Sequence, residues 1–227
     1  MRRCDMKRSE LNQLIKENRN FMEEQGFKLP PFAYWTIDEW KNLSEEYAEI
    51  KDCQIGWDVT DFGSGDFHKK GLFLMTIRNG FGRFSEYPKP YAEKIMVVEE
   101  NQVTPMHFHW DKMEDIINRG GGNLMVQLYN NIDEELDVHS PVTVYSDSRQ
   151  YTVPAGTILR LEPGQSITMQ QGLYHSFWGE EGKGKVLVGE VSMCNDDAND
   201  NRFWEPTGRF SEIEDDVAAE FLLVNEL

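Results

Sequence analysis

The stretch Met106-His107-Phe108-His109-Trp110-Asp111-Lys112-Met113-Glu114 decides the reading of this chain. Alternate side chains of a β-strand leave on the same face, so an extended segment here points His107 and His109 into one cavity. Two imidazoles so placed can share one metal ion. Asp111 and Lys112 supply a turn, and beyond it Glu114 is close enough to bring in a carboxylate oxygen. Gly120, Gly121 and Gly122 then let the backbone reverse tightly into an apolar strand over Asn123 to Tyr129.

A fourth ligand has to come from elsewhere in the chain. His175, in Gly172-Leu173-Tyr174-His175-Ser176-Phe177-Trp178, is the natural candidate, because it follows a turn-rich stretch, Glu162-Pro163-Gly164-Gln165, and an alternating strand, Ser166 to Met169. The two blocks resemble the paired motifs of the cupin superfamily. The first keeps the pattern His-x-His-x4-Glu-x6-Gly ending at Gly121, with Asn101 where a leading Gly is usual. In the second, Gly164, Gly172 and His175 keep the spacing, while Gln170 replaces the customary Pro and Gly179 the customary Asn. The resemblance implies a mainly β fold, a cupin jelly-roll β-barrel, with His107, His109, Glu114 and His175 on the metal. A lone strand His is more often a hydrogen-bonded structural residue than a ligand. His68 and His139 stand outside both blocks and are read that way.

Length and composition bound the rest. A chain of 227 residues is most simply one structural domain, here an N-terminal helical segment over 1–50 packed on a cupin domain over 51–227. The balance of 23 basic against 40 acidic residues, −17 overall, argues against nucleic acid and against an anionic membrane surface. It suits an enzyme acting on a small neutral molecule. No apolar run approaches the length of a membrane span, and Met1-Arg2-Arg3-Cys4-Asp5 is followed by a polar helical pattern instead of a signal-peptide core. Cys4, Cys53 and Cys194 are odd in number and widely spaced, as expected of reduced thiols in a cytoplasmic protein.

Along the chain, helix comes first. Lys7 to Gly26 carries Leu11, Leu14, Ile15, Phe21 and Met22 close to helical spacing, with Gly26 as a stop. Thr36-Ile37-Asp38-Glu39 is a capping box that predicts a second helix through about Ala48. From Ile55 onward strands and turns take over: Gly71 to Ile77, Lys94 to Val98, Pro141 to Tyr145, Gln150 to Val153, Thr157 to Leu161 and Val186 to Met193. Short strands at close, turn-marked spacing mean a sandwich or jelly roll. The acidic run Glu212 to Asp216 reads as a solvated surface, and Val217 to Val224 fits either a strand or a short helix.

Three imidazoles and one carboxylate, with no thiolate, suit Mn²⁺, Fe²⁺, Co²⁺, Ni²⁺ or Zn²⁺, and an octahedral ion would keep two adjacent positions for two vicinal oxygens. Those could be O1 and O2 of an open-chain sugar, O₂ with a substrate, or an oxalate-like acid. Lys112, between His109 and Glu114, reaches a substrate oxygen if its turn directs it inward. Glu190 and Ser192 share one face of a strand that leads into Asn195-Asp196-Asp197-Ala198-Asn199-Asp200-Asn201-Arg202-Phe203, a hydroxyl-binding segment or an ordinary polar turn. Asp58, Asp61 and Asp66 around Gly63 and Gly65 read as turn formers.

Residues 107 to 122, Gln171 to Phe177, and Glu190-Val191-Ser192 leading to Asn195-Asp196-Asp197 and Asp200-Asn201-Arg202-Phe203 together resemble the D-lyxose isomerase family of cupins. The resemblance covers roughly residues 80 to 210. It implies a Mn²⁺-preferring homodimeric aldose–ketose isomerase that interconverts D-lyxose and D-xylulose, often with D-mannose and D-fructose as a second pair. The expected route is a cis-enediolate, with Lys112 and Glu190 or Glu205 carrying the proton and Asp197 and Arg202 binding sugar hydroxyls. A phosphosugar isomerase, a metal-dependent oxygenase and a non-catalytic sugar-binding cupin are the competing readings.

Overall fold

The computed structural model describes residues 6–80, 86–197, 199–208, 211 and 213–227. Cys4, Ala198 and Glu212, named above, lie outside the described residues. The described chain opens with β1 (Met6–Lys7), α1 (Arg8–Glu24), α2 (Ile37–Lys41) and α3 (Ala48–Asp52). Strands follow: β2 (Gly56–Thr60), β3 (Leu72–Arg78), β4 (Tyr91–Val98), β5 (Thr104–His109), β6 (Glu114–Gly121), β7 (Leu124–Ile132), β8 (Glu135–Asp137), β9 (Val142–Ser146) and β10 (Arg149–Val153). The series continues with β11 (Ile158–Leu161), β12 (Ser166–Met169), β13 (Tyr174–Gly179), β14 (Val186–Met193), β15 (Asn201–Phe203) and β16 (Ile213–Glu214).

The capping box at Thr36 forms as the sequence predicts, with Glu39 N donating to Thr36 Oγ1 at 3.3 Å and Thr36 N donating to Glu39 Oε2 at 2.7 Å. The helix it opens stops at Lys41, however, instead of running to Ala48. Asn42, the C-cap, gives both its backbone N–H at 3.1 Å and its side-chain amide at 2.8 Å to Asp38 O while its own φ and ψ leave the helical region, and a 3-10 turn over Glu45–Tyr47 intervenes before α3.

Two antiparallel sheets face each other. The larger runs β10-β9-β12-β6-β14-β4-β3-β2 and the smaller β11-β7-β13-β5-β15. Side-chain alternation on β3 and β4 divides the core in two. Leu74, Met96 and Val98 turn inward and pack with Ile116, Val126, Phe177 and Val188 between the sheets. Phe73, Met75, Ile95 and Val97 turn outward and are covered by Leu11, Leu14, Ile15 and Met22 of α1. Full burial of each such side chain contributes about 1.5–3 kcal/mol, so α1 belongs to the stability of the barrel. The apolar C-terminal stretch that the sequence left open forms neither strand nor α-helix. Leu223 makes one bridge to Trp57, a 3-10 turn follows over Val224–Glu226, and Phe221 and Leu223 join the cluster under α1. Asp61 is a turn former as expected, accepting from Gly63 N and Gly65 N, whereas Asp58 is buried within β2. Asn101 takes the glycine position of the first motif with φ +60°, a left-handed conformation that Asn tolerates best among residues with a side chain. Gly179 is required where it stands, since a Cβ there would lie 2.6 Å from Glu99 O.

Candidate active site

β5 and β13 pair antiparallel with His107 opposite His175, which places the histidines of both sequence blocks on one wall between the sheets. The ring nitrogens of His107, His109 and His175 come within 4.8 Å of one another, and all three side chains are buried. Each Nδ1 faces a backbone carbonyl: Pro105 O at 2.8 Å, Asp200 O at 3.2 Å and Leu173 O at 2.9 Å respectively. A carbonyl only accepts, so Nδ1 carries a proton, and in the neutral ring Nε2 is the nitrogen that presents a lone pair. Burial, then the neighbouring imidazoles, hold the His107 pKa well below the usual range, which keeps that ring neutral.

Glu114, at the start of β6 on the opposite sheet, reaches this wall. Its Oε1 lies 3.1 Å from His175 Nε2 and its Oε2 3.4 Å from His109 Nε2. Buried His175 Nε2 and Glu114 Oε2 have no hydrogen-bond partner among the described residues. A neutral imidazole lone pair aimed at a carboxylate is unfavourable unless a cation stands between them. Three imidazole nitrogens and one hard oxygen therefore fit a divalent transition metal.

Across from the histidines lies a buried array of charge. Lys112 Nζ sits 2.6 Å from Glu114 Oε2, off the direction of a hydrogen bond, and 3.1 Å from Glu190 Oε1. Glu190 Oε1 also meets Lys94 Nζ at 3.2 Å and accepts from Ser192 Oγ at 2.9 Å. Burial opposes ionisation of Lys112, but the carboxylates of Glu114 and Glu190 outweigh it and raise its pKa. Burial likewise works against the Glu190 carboxylate, and Lys112 and then Lys94 overcome it and lower its pKa. Both groups stay charged at neutral pH.

Lys94 and Asp200 were not singled out in the sequence. Lys94 shares its inward face of β4 with Met96 and Val98, so strand parity on an otherwise apolar stretch carried the signal. Asp200 had only its place in a polar segment. Its carboxylate accepts from Asp111 N at 2.7 Å and Lys112 N at 3.0 Å, and its carbonyl from His109 Nδ1, so one residue fixes the turn that aims Lys112 and the tautomer of His109.

The remaining sequence candidates divide. Asp197 lines the cavity with Asn201 and Phe203. Arg202 lies between those two in β15 and opposite Phe108 in register, so alternation turns it away, and it pairs with Glu134 at 2.9 Å. Glu205 is 68 % exposed, 3.9 Å from Lys70 and outside the cavity. The expected sugar contact of Arg202 and proton transfer by Glu205 are thus not supported by their placement. His68 hydrogen-bonds Glu99 at 2.6 Å and His139 is exposed, both remote from the site.

A family model described as D-lyxose isomerase matches residues 6–227. The chain is similar to a D-lyxose/D-mannose isomerase of Serratia proteamaculans, 51% identical over 97% of either chain. It is also similar to one of Escherichia coli O157:H7, 49% identical over 97% of this chain and 98% of that one. Among solved structures, an L-ribose isomerase of Cellulomonas parahominis with L-ribose superposes with a TM-score of 0.60 at 15% identity, covering 93% of this chain and all of that one (100%). One of Acinetobacter sp. DL28 with L-ribose gives 0.61 at 16% identity, covering 94% and 100%. At such identities the structures speak for the fold, a cupin jelly roll. With relatives at about half identity from end to end and a family model spanning the same length, the chain belongs to the D-lyxose isomerase family.

Proposed function

We propose that the protein interconverts D-lyxose and D-xylulose, and D-mannose and D-fructose as a second pair, through a cis-enediolate. The observation that carries this reading is the convergence of three imidazoles and Glu114 opposite the Lys94–Glu190–Lys112 array inside one buried cavity. His107, His109, Glu114 and His175 would hold a divalent ion, Mn²⁺ by family resemblance, with Fe²⁺, Co²⁺, Ni²⁺ and Zn²⁺ as alternatives. When bound it supplies a Lewis acid for the carbonyl and hydroxyl oxygens at C1 and C2. Glu190, kept ionised by its two lysines, is the base that takes the C2 proton and returns it at C1. Lys112, kept protonated, donates to the oxygen on which negative charge develops. Asp197 and Asn201 bind sugar hydroxyls at the mouth.

A neutral sugar is favoured over a phosphosugar because both lysines of the cavity are already engaged by carboxylates, and Arg202 is engaged outside it. The same family resemblance supports a homodimer, and the free thiols of Cys53 and Cys194 suit the cytoplasm. No helix among the described residues is long and apolar enough to cross a membrane.

The test uses chelator-stripped protein reloaded with each metal in turn and assayed for ketose formation from D-lyxose and D-mannose. Restoration of activity, greatest with Mn²⁺, is expected. Undiminished turnover by metal-free protein would reject the metal, and absence of ketose from every pentose and hexose would reject the isomerase.

A further inference from the structure

A regular antiparallel ladder that sets His107 opposite His175 would set Pro105 opposite Phe177. Phe177 lies opposite Thr104 instead, so β5 carries one additional residue, a β-bulge beside the site. The bulge reverses side-chain parity. Pro105 and Met106 both face the outer surface of the smaller sheet, and Thr104 returns to the side of His107, lining the inner cavity. The irregularity is itself tied down: Ser176 Oγ donates to Thr104 O at 2.7 Å, and Pro105 O is the carbonyl that accepts from His107 Nδ1 at 2.8 Å.

Thr104 is 3% exposed, and its Oγ1 has no hydrogen-bond partner among the described residues. The cavity it lines also takes in the apolar side chains of Leu74, Met96, Ile116 and Phe177. A lone buried hydroxyl among such neighbours costs free energy that an isosteric Val would avoid. Val would also suit a strand as well as Thr does.

We propose that the Thr104 hydroxyl hydrogen-bonds a hydroxyl of the bound open-chain sugar remote from C1 and C2, and so takes part in choosing the substrate. This rests on the isomerase reading above. At about 3.3 Å per strand residue, three positions separate Thr104 from His107 by roughly 10 Å along β5. A sugar held by its first two oxygens near the imidazoles therefore offers Thr104 the hydroxyls further down its chain.

Thr104→Val, Thr104→Ser and the wild type are compared on D-lyxose, D-mannose and D-lyxose analogues lacking one hydroxyl at C3, C4 or C5. The valine variant is expected to lose about tenfold in kcat/KM on the parent sugar, at unchanged manganese content and equal or higher Tm, while the serine variant keeps most of the activity. The analogue that lacks the partner hydroxyl should be turned over equally by wild type and valine variant, closing a double-mutant cycle between protein and ligand. Thr104→Ala serves the same comparison if the valine variant does not fold. Wild-type efficiency of the valine variant on both sugars, or an equal loss on every analogue, would overturn the assignment. Failure of the wild type to turn over either sugar would reject the isomerase reading itself.

Discussion

Replacing Lys112 by Met probes the charge balance of the site, because the two side chains differ chiefly by the ammonium. Lys112 lies between Glu114 and Glu190, both buried, and its removal leaves Glu114 with no cation among the described residues while Glu190 keeps Lys94. Breaking a buried pair by deleting one partner costs about 3–5 kcal/mol. For a chain of this length that corresponds to a fall in Tm of roughly 6–20 °C in metal-free protein. A divalent ion on the histidines would neutralise Glu114 in place of the lost ammonium, so the deficit should shrink in metal-loaded protein. Met cannot compete with the metal for Glu114 either. The rise in Tm on adding Mn²⁺ to chelated protein should therefore be larger in Lys112→Met than in the wild type, although the variant has no turnover. Differential scanning calorimetry with and without Mn²⁺ measures both quantities. An unchanged metal-free Tm, or a manganese-induced rise no larger than that of the wild type, would refute the view that Lys112 and the metal share one carboxylate.

Three further outcomes follow from the same geometry. Asp200→Ala removes two charge-assisted bonds to the turn at 111 and 112, one of them to the buried Lys112 amide, and should cost about 2–4 kcal/mol in unfolding experiments with kcat falling more than KM rises. Arg202→Ala and Glu205→Ala, both outside the cavity, should keep kcat/KM for D-lyxose within about threefold of the wild type, about 0.7 kcal/mol; a larger loss would return these residues to the mechanism. In metal-free protein His107 and Glu114 both have lowered pKa values, His107 through burial first and Glu114 through Lys112 against the opposing effect of burial. The unfolded chain then binds protons that the native state refuses, from about pH 6.5 downward for the histidine and about pH 4.3 for the glutamate. Stability should accordingly fall as pH falls through this window, and a flat Tm between pH 7 and pH 4 would contradict the assignment.

Much of the architecture and the grouping of His107, His109, Glu114 and His175 was legible in the residues themselves. Alternation placed His107 with His109, the spacing to Glu114 and His175 brought the other two, and strand parity put Glu190 and Ser192 on one face of β14. Arg202 lies between Asn201 and Phe203 in a strand, so alternation turns it to the other face, a placement that family likeness alone does not disclose. Thr104 was hidden for the opposite reason. Parity counted back from His107 turns it outward, and the bulge that turns it inward depends on pairing with a strand some seventy residues away. Asp200 exerts its effect through backbone amides, which no side-chain pattern discloses. The helix ends after Lys41, where Asn42 caps it on Asp38 O, and a start signal at Thr36 does not foresee where a helix stops.

Transfer of the C2 hydrogen as a proton through Glu190 is the step on which the whole account turns, and turnover of D-lyxose in D₂O measures it most directly. A carboxylate that picks up the proton and meets even one exchanging water trades it with solvent, so D-xylulose formed in D₂O should carry deuterium at C1. Glu190→Gln should abolish both exchange and turnover while manganese content stays intact. Product free of deuterium, together with complete passage of the label from C2-deuterated D-lyxose to C1, would contradict the account and favour a hydride shift.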